Sequence, residues 1–260
     1  MPFTCTYDLD QRPDPELVNL FQESYRFIED SLGSTFHFTV DSDGRPNAVQ
    51  AYILYVAALI VGAADASLTL TLHNLGREAR FLGRQIFEYW LRAAYYAARP
   101  NEAKSLLLSL PFGERQILDE LGYEKDSERY KVLEAQCADT LARHPGFVPH
   151  NEPKLSKIVG SDPTAKKLYA FFYRIPSQTG HATGAGFGAV YKERGVDFNS
   201  QEPNPNIGLA VDAWIIHQFL KLMNVELGLK FTVAVNAFSA RLESIRERLG
   251  DDLGFVQASE

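Results

Sequence analysis

Cysteine is scarce in this chain: Cys5 and Cys137 are the two in 260 residues, at no spacing used by a metal site or a redox pair. No disulfide framework is expected. Positive charge is also short, with 26 Lys and Arg against 33 Asp and Glu, a formal net charge of −7. No overall basic field draws a nucleic-acid backbone, although a local basic groove stays open. The first residues, MPFTCTYDLDQRPDPE, lack a basic flank followed by an apolar run, so no secretory leader is expected and the cytoplasm is the default compartment. Long hydrophobic runs come down to one stretch, the 19 uncharged residues Pro46 to Ala64. It opens with Pro-Asn, contains Gln50 and has no basic cluster beside it. A buried helix is therefore expected there rather than a membrane span. Gly-x-Ser-x-Gly, HExxH, Walker and dinucleotide-binding motifs are all missing.

What remains is an ordinary globular composition, 45% hydrophobic and 23% charged, with a mean hydropathy of −0.19. Hydrophobic residues recur at the helical period. Leu17, Leu20, Phe21, Tyr25 and Ile28 lie on one face of a helix from Pro15 to Leu32. FHFTV at 36–40 reads as a short strand and DSDGRP as a turn. Asn47 to about His73 reads as a second helix, and the alternating SLTLTL is taken as its continuation because no turn interrupts it. Asn74-Leu75-Gly76 breaks the chain before a third helix, 77–98, whose apolar arc is too wide for one partner. Glu102–Leu110 and Phe112–Leu121 read as two short helices separated by Pro111. Glu124–Arg143 is a more polar helix, 144–163 a proline-rich loop or lid, and Thr164–His181 helical again. Ile207–Leu229 and Phe231–Leu249 close the chain. The expected fold is all-α, a bundle around the antiparallel pair 47–73 and 77–98 with 164–181 packed across it. Residues 1–45 are expected as an N-terminal helix and connector, 46–249 as the main domain and 250–260 as a tail.

Two polar patterns stand out against this apolar background. Arg84-Gln-Ile-Phe-Glu88 places an Arg and a Glu one turn apart beside the apolar arc, so a partly buried pair is expected. Tyr173, Ser177 and His181, each four apart, share a helix side with Arg174. His suits proton transfer near neutral pH, and Arg suits a phosphate or carboxylate. Such a stripe serves equally as a site or as a buried seam in which each group bonds another. Pro176 predicts a kink. GAGFG at 184–188 reads as a flexible turn rather than a phosphate cradle, since no strand precedes it. His217 reads as a core or edge histidine, and His144, His150 and Glu152 as too weakly scaffolded for zinc. No metal and no cofactor are expected.

The stretch ALIVGAADASLTLTLHNLGREARFLGRQIFEYWLRAAYYAARP, with its Arg-x3-Glu and the later Tyr-x3-Ser-x3-His, resembles a family of helical bacterial proteins of unknown function. That family in turn resembles the HEPN superfamily, helical bundles that include metal-independent RNases of toxin and phage-defence systems. Their hallmark is Arg-x4–6-His, met here by Arg174-x6-His181. The resemblance implies His181 as general acid or base and Arg174 as the group stabilising charge on a scissile phosphate, in a cleft between two protomers. Arg84, Glu88, Tyr173 and Ser177 would then be the supporting polar network. The expected partners are RNA and a second copy of the chain, with neither DNA nor a membrane. Two other readings stay open: a non-catalytic scaffold with those residues in a closed network, and a small-ligand binder.

Overall fold

A computed structural model describes residues 12–32, 39–40, 46–160, 163–174, 191–192, 195–196 and 204–249. They form an all-α bundle. Helix α1 is Pro15–Leu32, α2 Ala48–Leu72, α3 Gly76–Ala97, α4 Pro100–Glu120, α5 Glu128–Arg143, α6 Leu155–Val159, α7 Pro163–Tyr169, α8 Pro205–Glu226 and α9 Thr232–Leu249. A π turn, Ala170–Arg174, extends α7. The strand content among the described residues is small: Tyr191–Lys192 pairs with Gly195–Val196, and Val40 bridges to Pro46. The remainder of the 36–40 strand expected from the sequence lies outside the described residues.

Helix ends follow local chemistry. Asp14 Oδ1 accepts from the backbone N–H of Glu16 and Leu17, both at 3.0 Å, which satisfies the orphan donors at the start of α1. Asn47 does the same for Val49 and Gln50, and Ser127 accepts from Tyr130 to cap α5. The cap at Ser127 places the start of α5 four residues later than the sequence reading of Glu124. Pro100 and Pro205 open α4 and α8, where a missing N–H costs nothing. Between α2 and α3 the chain turns through Asn74 at φ 59°, a left-handed conformation that Asn tolerates.

Two expectations are corrected. Pro111 does not divide α4, which runs unbroken through it. Leu106 before the proline is buried in the main core, and Leu118 after it packs with Tyr130 and Leu133 of α5. Anchorage at both ends outweighs the lost hydrogen bond. Residues 144–163 are not loop throughout, because α6 docks Leu155 and Val159 inside them. The described part of the expected 164–181 helix is α7 and the π turn, and its later residues lie outside the described set.

The core is centred on α8. Leu209, Ala210, Val211, Ala213, Ile215, Ile216, Phe219, Leu220 and Met223 are all buried, so the helix is apolar nearly all round. It packs on α1, α2, α3 and α9. The predicted face of α1 is buried as expected, in the same core as α2, α3 and α8, so that core runs across position 45. The wide arc of α3 meets α2, α4, α6, α8 and the π turn, which meets the expectation of more than one partner. Helix α2 is long and apolar enough to cross a membrane by length and composition, and here one of its sides lines the core.

Candidate functional site

The π turn fixes the site. A π turn holds one more residue than an α turn, which shifts the directions of the side chains within it. Phe172 goes inward, stacking on Phe87 (5.3 Å between centroids) and on Trp214 of α8 (5.7 Å), with Trp90 edge-on to Trp214. Tyr173 lies beside it, stacked on Tyr169 at 5.0 Å and 15°. Its hydroxyl accepts a hydrogen bond from Arg84 Nη2 at 2.9 Å. The two polar patterns of the sequence, 89 residues apart, therefore touch.

Arg84 is held unusually for a cation. Its guanidinium carbon lies 4.3 Å from the Tyr173 ring centre and 5.1 Å from that of Phe81. Both rings offer a negative π face. Its Nε is buried without a hydrogen-bond partner. Glu88 does not serve it. That carboxylate bonds Arg92 instead, at 3.1 Å to both Nε and Nη2. The reason is orientational: Glu four residues before Arg is the favourable order on a helix, and Arg84 before Glu88 is the reverse. Arg92 Nη1 also reaches Glu152 at 2.8 Å. Burial alone would lower the pKa of Arg92, and the charges of Glu152 and Glu88 more than reverse this.

Of the residues read as a site, Arg84, Glu88 and Tyr173 are thus placed. The backbone of Arg174 ends the π turn, while its side chain, Ser177 and His181 lie outside the described residues. The proline-rich connection is tied down at three points. Glu152 meets Arg92, the His150 N–H donates to Ser109 Oγ at 2.6 Å, and His150 Nε2 lies 3.1 Å from the Tyr96 hydroxyl. Beside it is an open groove lined by Tyr95, Glu102, His150, Glu152, Lys154 and Lys157. Among the described residues no group of three His, Cys, Asp or Glu is arranged to hold a metal ion.

Comparison with known protein families, curated proteins and solved structures gave no match.

Two buried polar groups escaped the sequence reading as site candidates. Asp212, 4% exposed on α8, accepts from Ser67 Oγ of α2 at 3.1 Å and presses against Gly83 of α3. The signals were a carboxylate inside the apolar run GLAVDAWII and a glycine inside the wide arc of α3. The second is His217, 1% exposed, with Nε2 2.9 Å from Ser24 Oγ. Ser24 gives its own proton to the Leu20 carbonyl at 2.7 Å, so it accepts from an Nε2–H. Nδ1 is left as a buried acceptor with no partner, and burial, with Lys221 and Arg241 adding to it, pushes the pKa down to about 4.

Proposed function

We propose that this chain is a HEPN-like helical protein that binds RNA or a nucleotide and cleaves RNA without a metal through Arg174 and His181. One observation supports the reading: Arg84 of α3 bonds Tyr173, the residue just before Arg174, so the two polar patterns of the sequence meet. In this reading His181 transfers the proton, Arg174 stabilises charge on the phosphoryl group, and a second copy closes the cleft. The test is incubation of purified protein with mixed RNA in EDTA, beside His181→Ala and Arg174→Ala. Wild type is expected to cut, and each variant to lose about 100-fold or more. Equal inertness of all three ends the nuclease reading.

A non-catalytic scaffold is the rival, and the ion cluster of Glu88, Arg92 and Glu152 favours it. That cluster joins α3 to the 144–154 connection and leaves no member without a partner. A scaffold predicts that His181→Ala changes stability and no RNA product.

A further inference from the structure

We infer that Arg84 is the receptor for a nucleotide phosphate, with the aromatic rings around it as the surface against which the base lies. This deepens the RNA- or nucleotide-binding reading above, on which it rests for its ligand class, but it does not require cleavage. A guanidinium has five N–H donors, and Arg84 gives one to protein, at the Tyr173 hydroxyl. Among the described residues no carboxylate pairs with it: Glu88 is taken by Arg92, and Asp212 receives Ser67 on the α8 side of α3. A partly buried cation normally has an anionic partner, because rings alone repay little of its lost hydration. Here the described residues supply the rings and a phenol and no anion. Positive charge is added nearby in sequence. Lys166 and Lys167 are exposed on α7, which leads into the π turn.

The chemistry of the ligand follows from these groups. A planar donor fork matches two oxygens of one phosphate. Phe81 and Tyr173 hold the guanidinium against their faces and Tyr169 stacks on Tyr173, so a base would meet the edges of this aromatic cluster, a contact tolerant of sequence. A phosphate bearing a base fits both halves, whether as a mononucleotide or within a single strand.

The experiment is calorimetric titration of the full chain with inorganic phosphate, adenosine 5′-monophosphate and an eight-nucleotide single-stranded RNA. The proteins are wild type, Arg84→Gln, Arg84→Lys and, as a charge-matched control on α5, Arg143→Gln. Because no carboxylate among the described residues pairs with Arg84, Arg84→Gln strands none of them and is expected to fold. A matching melting temperature checks this, and Arg84→Lys, which keeps the charge, serves if it does not. Saturable binding of the monophosphate or the RNA is expected, weakened about tenfold or more by Arg84→Gln, less by Arg84→Lys, and unchanged by Arg143→Gln. Absence of saturable binding, or equal affinity in wild type and Arg84→Gln, overturns the assignment. Inorganic phosphate binding as tightly as the monophosphate overturns the role given to the rings. Binding without cleavage would remove the nuclease and leave this site. Cleavage that is indifferent to Arg84 would do the opposite.

Discussion

His217 shows how much one buried ring can decide. Its neutral form fits the Ser24 acceptor, and a proton on Nδ1 would meet nothing. The unfolded chain takes that proton near pH 6.5, and the folded chain refuses it until about pH 4. Stability from this residue is therefore complete above 6.5 and falls as the pH drops through the window between the two values. Unfolding free energies from urea titrations at pH 7 and pH 5 are expected to differ by about 2 kcal/mol, and His217→Leu should remove most of that difference. Gly83 is a second such position. A methyl group there would lie 2.9 Å from Asp212 Oδ2 and closer still to Oδ1. Ala is the better helix former by about 1 kcal/mol, yet overpacking against a buried carboxylate costs about 1–3. Gly83→Ala is thus expected to lower the thermal midpoint, while Gly62→Ala, where a Cβ meets nothing, should raise it. Glu88→Ala is expected to cost about 1 kcal/mol in the same measurement, because its pair with Arg92 is only partly buried and Glu152 stays behind.

At the scale of elements, the helices were readable because their hydrophobic period is regular and their ends carry Asn, Ser, Pro or Gly. Leu17 to Ile28 and the break at Asn74 needed nothing beyond the chain itself. Pro111 misled because a proline speaks of local cost, whereas anchorage of Leu106 and Leu118 is tertiary. Pro111→Ala is accordingly expected to stabilise α4 by about 1 kcal/mol, seen as a higher melting temperature, since it restores a donor to the Leu107 carbonyl. The π turn was equally hidden. It puts Phe172 between Phe87 and Trp214, an arrangement set by α3 and α8 rather than by its own five residues. The Arg-x3-Glu pattern was visible but its partners were not, because which neighbour a charge takes depends on helix direction and on a loop 60 residues away. Arg92→Ala should free that loop, and limited proteolysis between residues 144 and 154 is expected to speed up.

Across the whole molecule, the centre of the fold comes late in the chain. Helix α8 begins at Pro205 and supplies the surface on which α1, α2 and α3 close. The expected bundle around α2 and α3 was right in class, but the weight of its interior sits on a helix that the sequence reading treated as a closing one. Asp14 near the beginning and Arg248 near the end of the described chain meet at 2.7 and 3.0 Å, joining α1 to α9.

A ribosome making this protein would emit some two hundred residues before the helix at the centre of their packing leaves the exit tunnel. Until then the greasy sides of three earlier helices have only solvent, one another or a chaperone to lie against. Synthesis arrested before Pro205 should accordingly yield a product found in aggregates or on chaperones, and adding back a peptide of residues 205–249 should return it to solution.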